Sequence, residues 1–295
     1  MTQASRPPIF SARARKARLD RAAATLRAHD FLHARAAEEA VDRLESVLRR
    51  FENALFFGPG AHHASEALTE RADVGAVMLA AESASLLREL GAGDAVEARP
   101  DALPFEDGRF DLVVSLLSLH AVDDLPAALR EARRVLSPDG LFLGIFPGER
   151  TLHELRAALR EGEASVTGSV SPRVMPMVAV RDGGGLLQSA GFALPVADVV
   201  RVPVRYGEPL RLLSDLRGMG ETSVLARGAK GALRRDVLAA SLEAYRSQFG
   251  DGGKVPATFD LVALTGWAPH ESQPKPLAPG SAKASLADAV KTFGG

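Results

Sequence analysis

The sequence predicts an α/β fold built on a mostly parallel, doubly wound sheet. Three observations point there. Residues 101–143 read in order as loop, strand, turn, helix, turn and strand. FDLVVSLLSL (110–119) is a nearly continuous apolar run, suited to a strand buried on both faces. PAALREARRVL (126–136) has helical apolar spacing with its charges on the other side. Pro138-Asp139-Gly140 then stops that helix, and LFLGIF (141–146) starts the next buried strand. A strand, crossover helix and strand of this kind form a right-handed unit of a parallel sheet.

The other elements follow in chain order. Residues 12–50 read as two helices with a break near His29-Asp30. ALFF (54–57) is the first strand, and GPGAHH (58–63) turns into a helix. AVML (76–79) is the second strand, followed by the helix AESASLLREL (81–90). A short third strand falls near Ala95–Glu97. TLHELRAALREGEA (151–164) is helical, and residues 165–180, with two prolines, are irregular. The glycines at 183–185 are expected to interrupt a short helix over 181–192. FALPVADVVRVPVRY (192–206) alternates as a strand does. Helices over 209–221 and 234–249 precede a final strand in 251–268. The expected organisation is a helical extension (1–50), one sheet domain (51–268) with a helical insertion at about 206–250, and an extended tail (269–295).

Composition narrows the function classes. A chain 46% hydrophobic and 25% charged is an ordinary soluble globular protein. A net charge of −1 supplies no general attraction for nucleic acid. The absence of cysteine excludes disulfides, thiol nucleophiles and thiolate-bound zinc or iron–sulfur clusters. No apolar run approaches the roughly 20 residues that span a bilayer. The N-terminus has no apolar signal core. Its Arg-rich, acid-poor start is similar to a mitochondrial transit peptide, but the pattern continues as an amphipathic stretch to Arg50, which favours a mature helix. Residues 1–50 carry 11 Lys/Arg against 6 Asp/Glu. That excess is either a solvated helix face or a docking surface for an acidic partner or the membrane surface.

DALPFEDGRFDLVVS (101–115) and VLSPDGLF (135–142) resemble the second half of a class I S-adenosyl-L-methionine (SAM) dependent methyltransferase. The resemblance implies a Rossmann-like sheet of seven strands with the last one antiparallel. It also implies that Asp101 and Ala102 contact the adenine, and that Ser115 and Leu116 line the methionine part of the cofactor. The loop after the first strand is normally acid-x-Gly-x-Gly-x-Gly. Here Phe56 replaces the acid and His62 the third glycine, while Gly58 and Gly60 still permit the turn. Ala80 and Ala81 stand where an acid would hold the ribose, so Glu82 is the nearest candidate. The losses remove charge-assisted hydrogen bonds of about 1.5–3 kcal/mol each.

DLRGMGETS (215–223), VPATFDLVALTGWAPHESQPKP (255–276) and PGSAK (279–283) narrow the likeness, together with IFSAR (9–13) and DRLESVLRRFENAL (42–55). These strings resemble the bacterial and mitochondrial complex I (NADH:ubiquinone oxidoreductase) assembly factor five family. The resemblance implies a SAM-methyltransferase-fold protein that modifies a protein substrate, a peripheral complex I subunit, by methyl transfer or arginine hydroxylation. The implied location is the bacterial cytoplasm, at the inner face of the membrane with peripheral membrane association, or the mitochondrial matrix. The biotin-pathway malonyl carrier-protein methyltransferases are near relatives and give an alternative reading. Ala121, Asp123 and Thr222-Ser223 depart from the family pattern, as do Phe56, Pro59 and His62. A non-catalytic assembly chaperone with a degenerate SAM site is therefore a third reading.

His120 closes the fourth strand, where ligands bind in open α/β sheets. It is a candidate general base or substrate-positioning group, or a pocket-rim histidine bonded to a carbonyl. Asp123 and Asp124 read as helix caps. His62 and His63 are expected to point to different sides of a helix, and the seven histidines contain no His-x-Asp/Glu motif, so no metal site is expected. Trp267, with His270 and Glu271 beside it, either covers a substrate pocket or fills the core edge. Met219 between Gly218 and Gly220 reads as a mobile lid or a helix cap.

Overall fold

Residues two apart on each central strand point to the same face, and the apolar pattern sorts them onto two layers. Ala54 and Phe56, Leu112 and Val114, and Leu141, Leu143 and Ile145 face one helical layer. Leu55 and Phe57, Val113, Phe142 and Phe146 face the other. A computed structural model describes residues 7–69, 73–91, 95–228 and 232–274.

Seven strands form one sheet: β1 (Phe51–Phe57), β2 (Val74–Ala81), β3 (Ala95–Glu97), β4 (Phe110–Leu116), β5 (Leu136–Pro147), β6 (Ala193–Tyr206) and β7 (Val255–Trp267). The order is β3-β2-β1-β4-β5-β7-β6. β1 to β5 pair in parallel, and β7 runs antiparallel to both β5 and β6. The expected seven-stranded class I methyltransferase sheet with its last strand reversed is the observed one.

Helices α1 (Ala12–Ala22), α2 (Phe31–Glu45), α3 (Ala61–Thr69) and α4 (Ala84–Glu89) are built from the first part of the chain. α5 (Leu125–Val135), α6 (His153–Thr167), α7 (Val180–Ser189), α8 (Pro209–Gly218) and α9 (Arg235–Phe249) complete the layers. α2, α6, α8 and α9 bury their apolar stripes against one face of the sheet, and α5 and α7 against the other. Among the described residues no helix is long and apolar enough to cross a membrane.

Two local expectations are corrected. Pro138-Asp139-Gly140 does not separate α5 from the next strand, because β5 already begins at Leu136. Asp139 adopts a left-handed φ of 63°, and the β4–β5 register shifts between Phe110 and Leu112, so the turn is absorbed as an irregularity inside the strand. The glycines at 183–185 do not interrupt α7. A Cβ on Gly183 would lie 2.6 Å from Leu264, so that glycine lets the helix pack closely on β7.

The N-terminal segment is integral to the fold. Ser11 caps α1 by accepting from Ala14 N–H, and Leu19 is fully buried. Phe10 pairs with Leu225 in an isolated antiparallel bridge. The basic excess of this region is largely consumed by ion pairs such as Lys16–Glu97, Arg27–Glu66, Arg43–Asp198 and Arg50–Glu52. The expected tail from residue 275 onward, including the string at 279–283, lies outside the described residues.

Candidate functional site

β1, β2 and β4 end together at Phe57, Ala81 and Leu116, and the loops beyond them build the site. A cavity of about 530 Å³ opens there. Glu82, residues 97–102 and residues 121–123 line it from the sheet side, and Phe10, Arg13, Arg15 and Lys16 cover it. Asp123 fixes that cover. Its Oδ1 accepts from the backbone N–H groups of Ile9 and Phe10, both at 2.7 Å. Asp124 alone caps α5, accepting from Ala127 N–H, so Asp123 is a tether and not the second cap that was expected.

A buried charge network fills the space between the cavity and the sheet. Arg15 is only 3% exposed. Its guanidinium donates to Glu221 Oε1 at 3.0 Å and to the Leu117 carbonyl at 2.7 Å, and its Nε lies 3.6 Å from Glu82 Oε1. Burial alone would lower the pKa of Arg15, but Glu221 and Glu82 outweigh it and raise it. Burial alone would raise that of Glu221, yet the Arg15 charge and the hydrogen bond from His120 hold it well below the usual carboxylate range. Glu221 can therefore only accept, and His120 Nε2–H donates to its Oε2 at 2.8 Å. This bond fixes the tautomer of His120 and leaves its buried Nδ1 without a partner.

The residues singled out from sequence separate into groups. Glu82, Asp101 and Ala102 line the cavity. Ser118 Oγ donates to Glu82 Oε1 at 2.6 Å, while the buried Glu82 Oε2 has no hydrogen-bond partner. Asp101 is held by Arg99 through both carboxylate oxygens, at 2.9 and 2.5 Å, and Ala102 N–H is spent on the Arg99 carbonyl. Gly58, Gly60, Ser115 and Leu116 are buried and do not line the cavity. Gly58 has a φ of 102°, and a Cβ there would sit 2.2 Å from the Leu116 carbonyl oxygen. The glycine turn thus closes onto protein. His120 is buried behind the network and does not reach the cavity either.

Trp267 and His270 lie elsewhere. Trp267 pairs with Leu141 in the first half of β5, toward the opposite end of the parallel strands from the cavity. It is half-buried, with the Arg49 guanidinium 6.0 Å from its ring, and His270 is exposed and bonded to Ser272. The antiparallel run of β7 is the reason, since it carries the end of that strand away from the carboxyl edge of the others. Met219 is fully buried in the core, which rules against a mobile lid.

The adenosine end of SAM fits these residues. Glu82 Oε2 is a bare buried acceptor in the place of a ribose partner, and the cavity has room for a nucleoside. The methionine end has no prepared lining, because Leu116 packs on the glycine turn and Gly58, Gly60, Ser115 and Leu116 all lie outside the cavity.

Sequence reasoning missed Arg15 and Glu221. Arg15 is one basic residue among many in α1. Glu221 lies in the DLRGMGETS string, where an acid directly after a buried Met219 and the positive-φ Gly220 is the signal. It also misjudged His62 and His63. Their ring centroids are 4.0 Å apart. In the first turn of α3 no preceding turn confines the side chains, and both rings swing toward Asp30. Burial, and then the charges of His63 and His33, push the His62 pKa down to about 3.

A methyltransferase-domain family model matches residues 55–144. The mitochondrial arginine-hydroxylase NDUFAF5 of Danio rerio is 40% identical over 268 residues, 89% of this chain and 83% of that one. The chain belongs to the NDUFAF5 family. The likeness to NDUFAF5 runs far beyond the methyltransferase domain, so it takes in elements outside the central strands. A malonyl-[acyl-carrier protein] O-methyltransferase of Halorhodospira halophila is 34% identical over 240 residues, 78% of this chain and 79% of that one. Among solved structures, the YcgJ protein of Bacillus subtilis aligns with a TM-score of 0.53 at 15% identity, over 80% of this chain and 99% of that chain, a likeness of fold alone.

Proposed function

We propose that this protein is an enzyme of the NDUFAF5 type that hydroxylates an arginine in a peripheral respiratory complex I subunit during assembly, with molecular oxygen as oxidant and an external two-electron reductant taking its second oxygen atom to water. The observation that carries this reading is the 40% identity to an arginine-hydroxylase across 89% of the chain. It is supported by the glycine turn, which is buried and does not line the cavity where a methyl donor would be held. The nucleoside cavity is assigned to Glu82, Asp101 and Ala102, with Glu82 Oε2 as the ribose acceptor. SAM is the nucleoside-bearing group suggested by the fold. Its methionine end would meet no glycine-turn contact in this cavity.

His120 donates Nε2–H to Glu221, which orients the ring and leaves its buried Nδ1 as the free nitrogen. It is assigned the role of holding or accepting a proton at Nδ1 once substrate opens the network. The compartment that goes with this reading is the mitochondrial matrix, or the cytoplasm of a bacterial cell at the inner face of the membrane.

A second reading, an assembly chaperone without catalysis, is favoured by the glycine turn lying buried outside the cavity. A third, carrier-protein methyl transfer, is favoured by the 34% identical relative. Capture experiments with the full chain, combined with deletion of its gene, test the partner. The expected result is recovery of a peripheral complex I subunit and a loss of assembled complex I. Normal complex I in the deletion strain, with capture of an acyl carrier protein instead, would overturn the proposal in favour of carrier-protein methylation.

A further inference from the structure

Outside the lining of the nucleoside cavity, Asp30 and the first turn of α3 bring three metal-ligating groups together. Asp30 Oδ2 lies 2.9 Å from His63 Nε2 and 3.9 Å from His62 Nε2. The three ligand atoms all fall within 4.8 Å of one another. A metal held at about 2.0–2.2 Å from each ligand requires ligand atoms roughly 3–3.5 Å apart, so only small side-chain rotations separate this arrangement from a coordination shell.

The chemistry of His62 is the decisive observation. Its Nδ1 is 3.1 Å from the Pro59 carbonyl, which can only accept, so Nδ1 carries the hydrogen. Nε2 of the neutral ring is then a bare lone pair. That atom is buried, has no hydrogen-bond partner, and belongs to a residue only 3% exposed. It faces the Asp30 carboxylate, another lone-pair group, so nothing in the protein satisfies either toward the other. Metal-binding histidines characteristically donate their other ring N–H to a backbone carbonyl or carboxylate, as His62 does to Pro59. Asp30 stands at the N-cap of α2 yet makes no capping bond, its carboxylate being turned to the histidines. The side chains of Asp30 and His63 are 18% and 22% exposed, which leaves an ion a path from solvent.

We propose that Asp30, His62 and His63 form a binding site for one divalent first-row metal ion. His62 ligates through its free Nε2. His63 moves its hydrogen from Nε2 to Nδ1 and ligates through Nε2. One Asp30 oxygen completes a two-histidine, one-carboxylate set, which leaves coordination positions open and suits iron(II), cobalt(II) or zinc. The site does not depend on the proposed reaction, because it is argued only from these side chains.

The test uses the untagged full chain, stripped with a chelator, and titrates Co²⁺ by absorption and Zn²⁺ and anaerobic Fe²⁺ by calorimetry. The expected result is one equivalent bound, with cobalt d–d bands of a nitrogen–oxygen site. Asp30→Asn, which keeps size and shape, and the double variant His62→Gln/His63→Gln should each weaken binding by about tenfold or more. The exposed His153→Gln should bind as the unaltered chain does. Circular dichroism checks that each variant is folded. Absence of any cobalt band from the unaltered protein, or equal affinity in the folded Asp30→Asn variant, would overturn the site.

Discussion

Arg15 and Glu221 meet at 3.0 Å although 206 residues separate them in sequence. The pair ties the first helix to the stretch after α8, over the carboxyl edge of the sheet. Both ions are almost wholly buried, so each depends on protein partners more than on water. Removing one partner leaves the other charged and desolvated. Arg15→Ala or Glu221→Ala is therefore expected to cost about 3–5 kcal/mol in denaturant unfolding. Arg15→Met/Glu221→Leu together should cost less than the sum, since neither member of this pair is left facing the other's empty place, although Glu82 still loses its cation.

The same pair sets a response to acid. The Glu221 carboxyl titrates lower in the folded chain than in the unfolded one. Its contribution to stability is complete above the unfolded value of about 4.3 and is lost as pH falls below it toward the folded value. Unfolding midpoints of the unaltered protein should drop steeply below about pH 5. Glu221→Gln should be less stable at neutral pH and show a shallower acid slope. An equal slope in the two proteins would remove Glu221 as the source.

Restoring the loop's missing acid is expected to fail. Phe56 is fully buried among core side chains, so Phe56→Asp both opens a cavity and buries an unpaired charge. A loss of at least about 3–5 kcal/mol is expected by thermal or chemical unfolding. A folded Phe56→Asp protein of unchanged stability would contradict the packing.

Nucleoside binding separates the two ends of the cavity. Calorimetry should find adenosine and SAM binding with similar affinity, because the methionine end has no prepared contacts. Glu82→Gln should lose about 1.5–3 kcal/mol of that affinity. Asp101→Ala should lose less, since Arg99 already occupies the Asp101 carboxylate. SAM binding far more tightly than adenosine would contradict a cavity prepared for the nucleoside alone.

The fold was legible because its signals are local. FDLVVSLLSL and LFLGIF read as doubly buried strands, and β7 was placed by resemblance before any geometry. Glu82 was reachable from sequence because it directly follows β2. The Arg15–Glu221–His120 network was not, because its members come from α1, the end of α8 and the loop after β4, and no spacing rule links them. The His62–His63 pair failed for a different reason. Helical periodicity describes where Cα–Cβ bonds point, whereas an imidazole in a first turn swings through its own torsions toward the nearest carboxylate.

The reaction itself is tested most directly by mass spectrometry of peripheral complex I subunits purified from cells with and without this gene. The account expects one arginine in one subunit to carry an added oxygen only when the gene is present, and an Arg15-, Glu221- and His120-containing copy to restore it. A methyl group in place of the oxygen, or identical subunit masses in both strains, would contradict it.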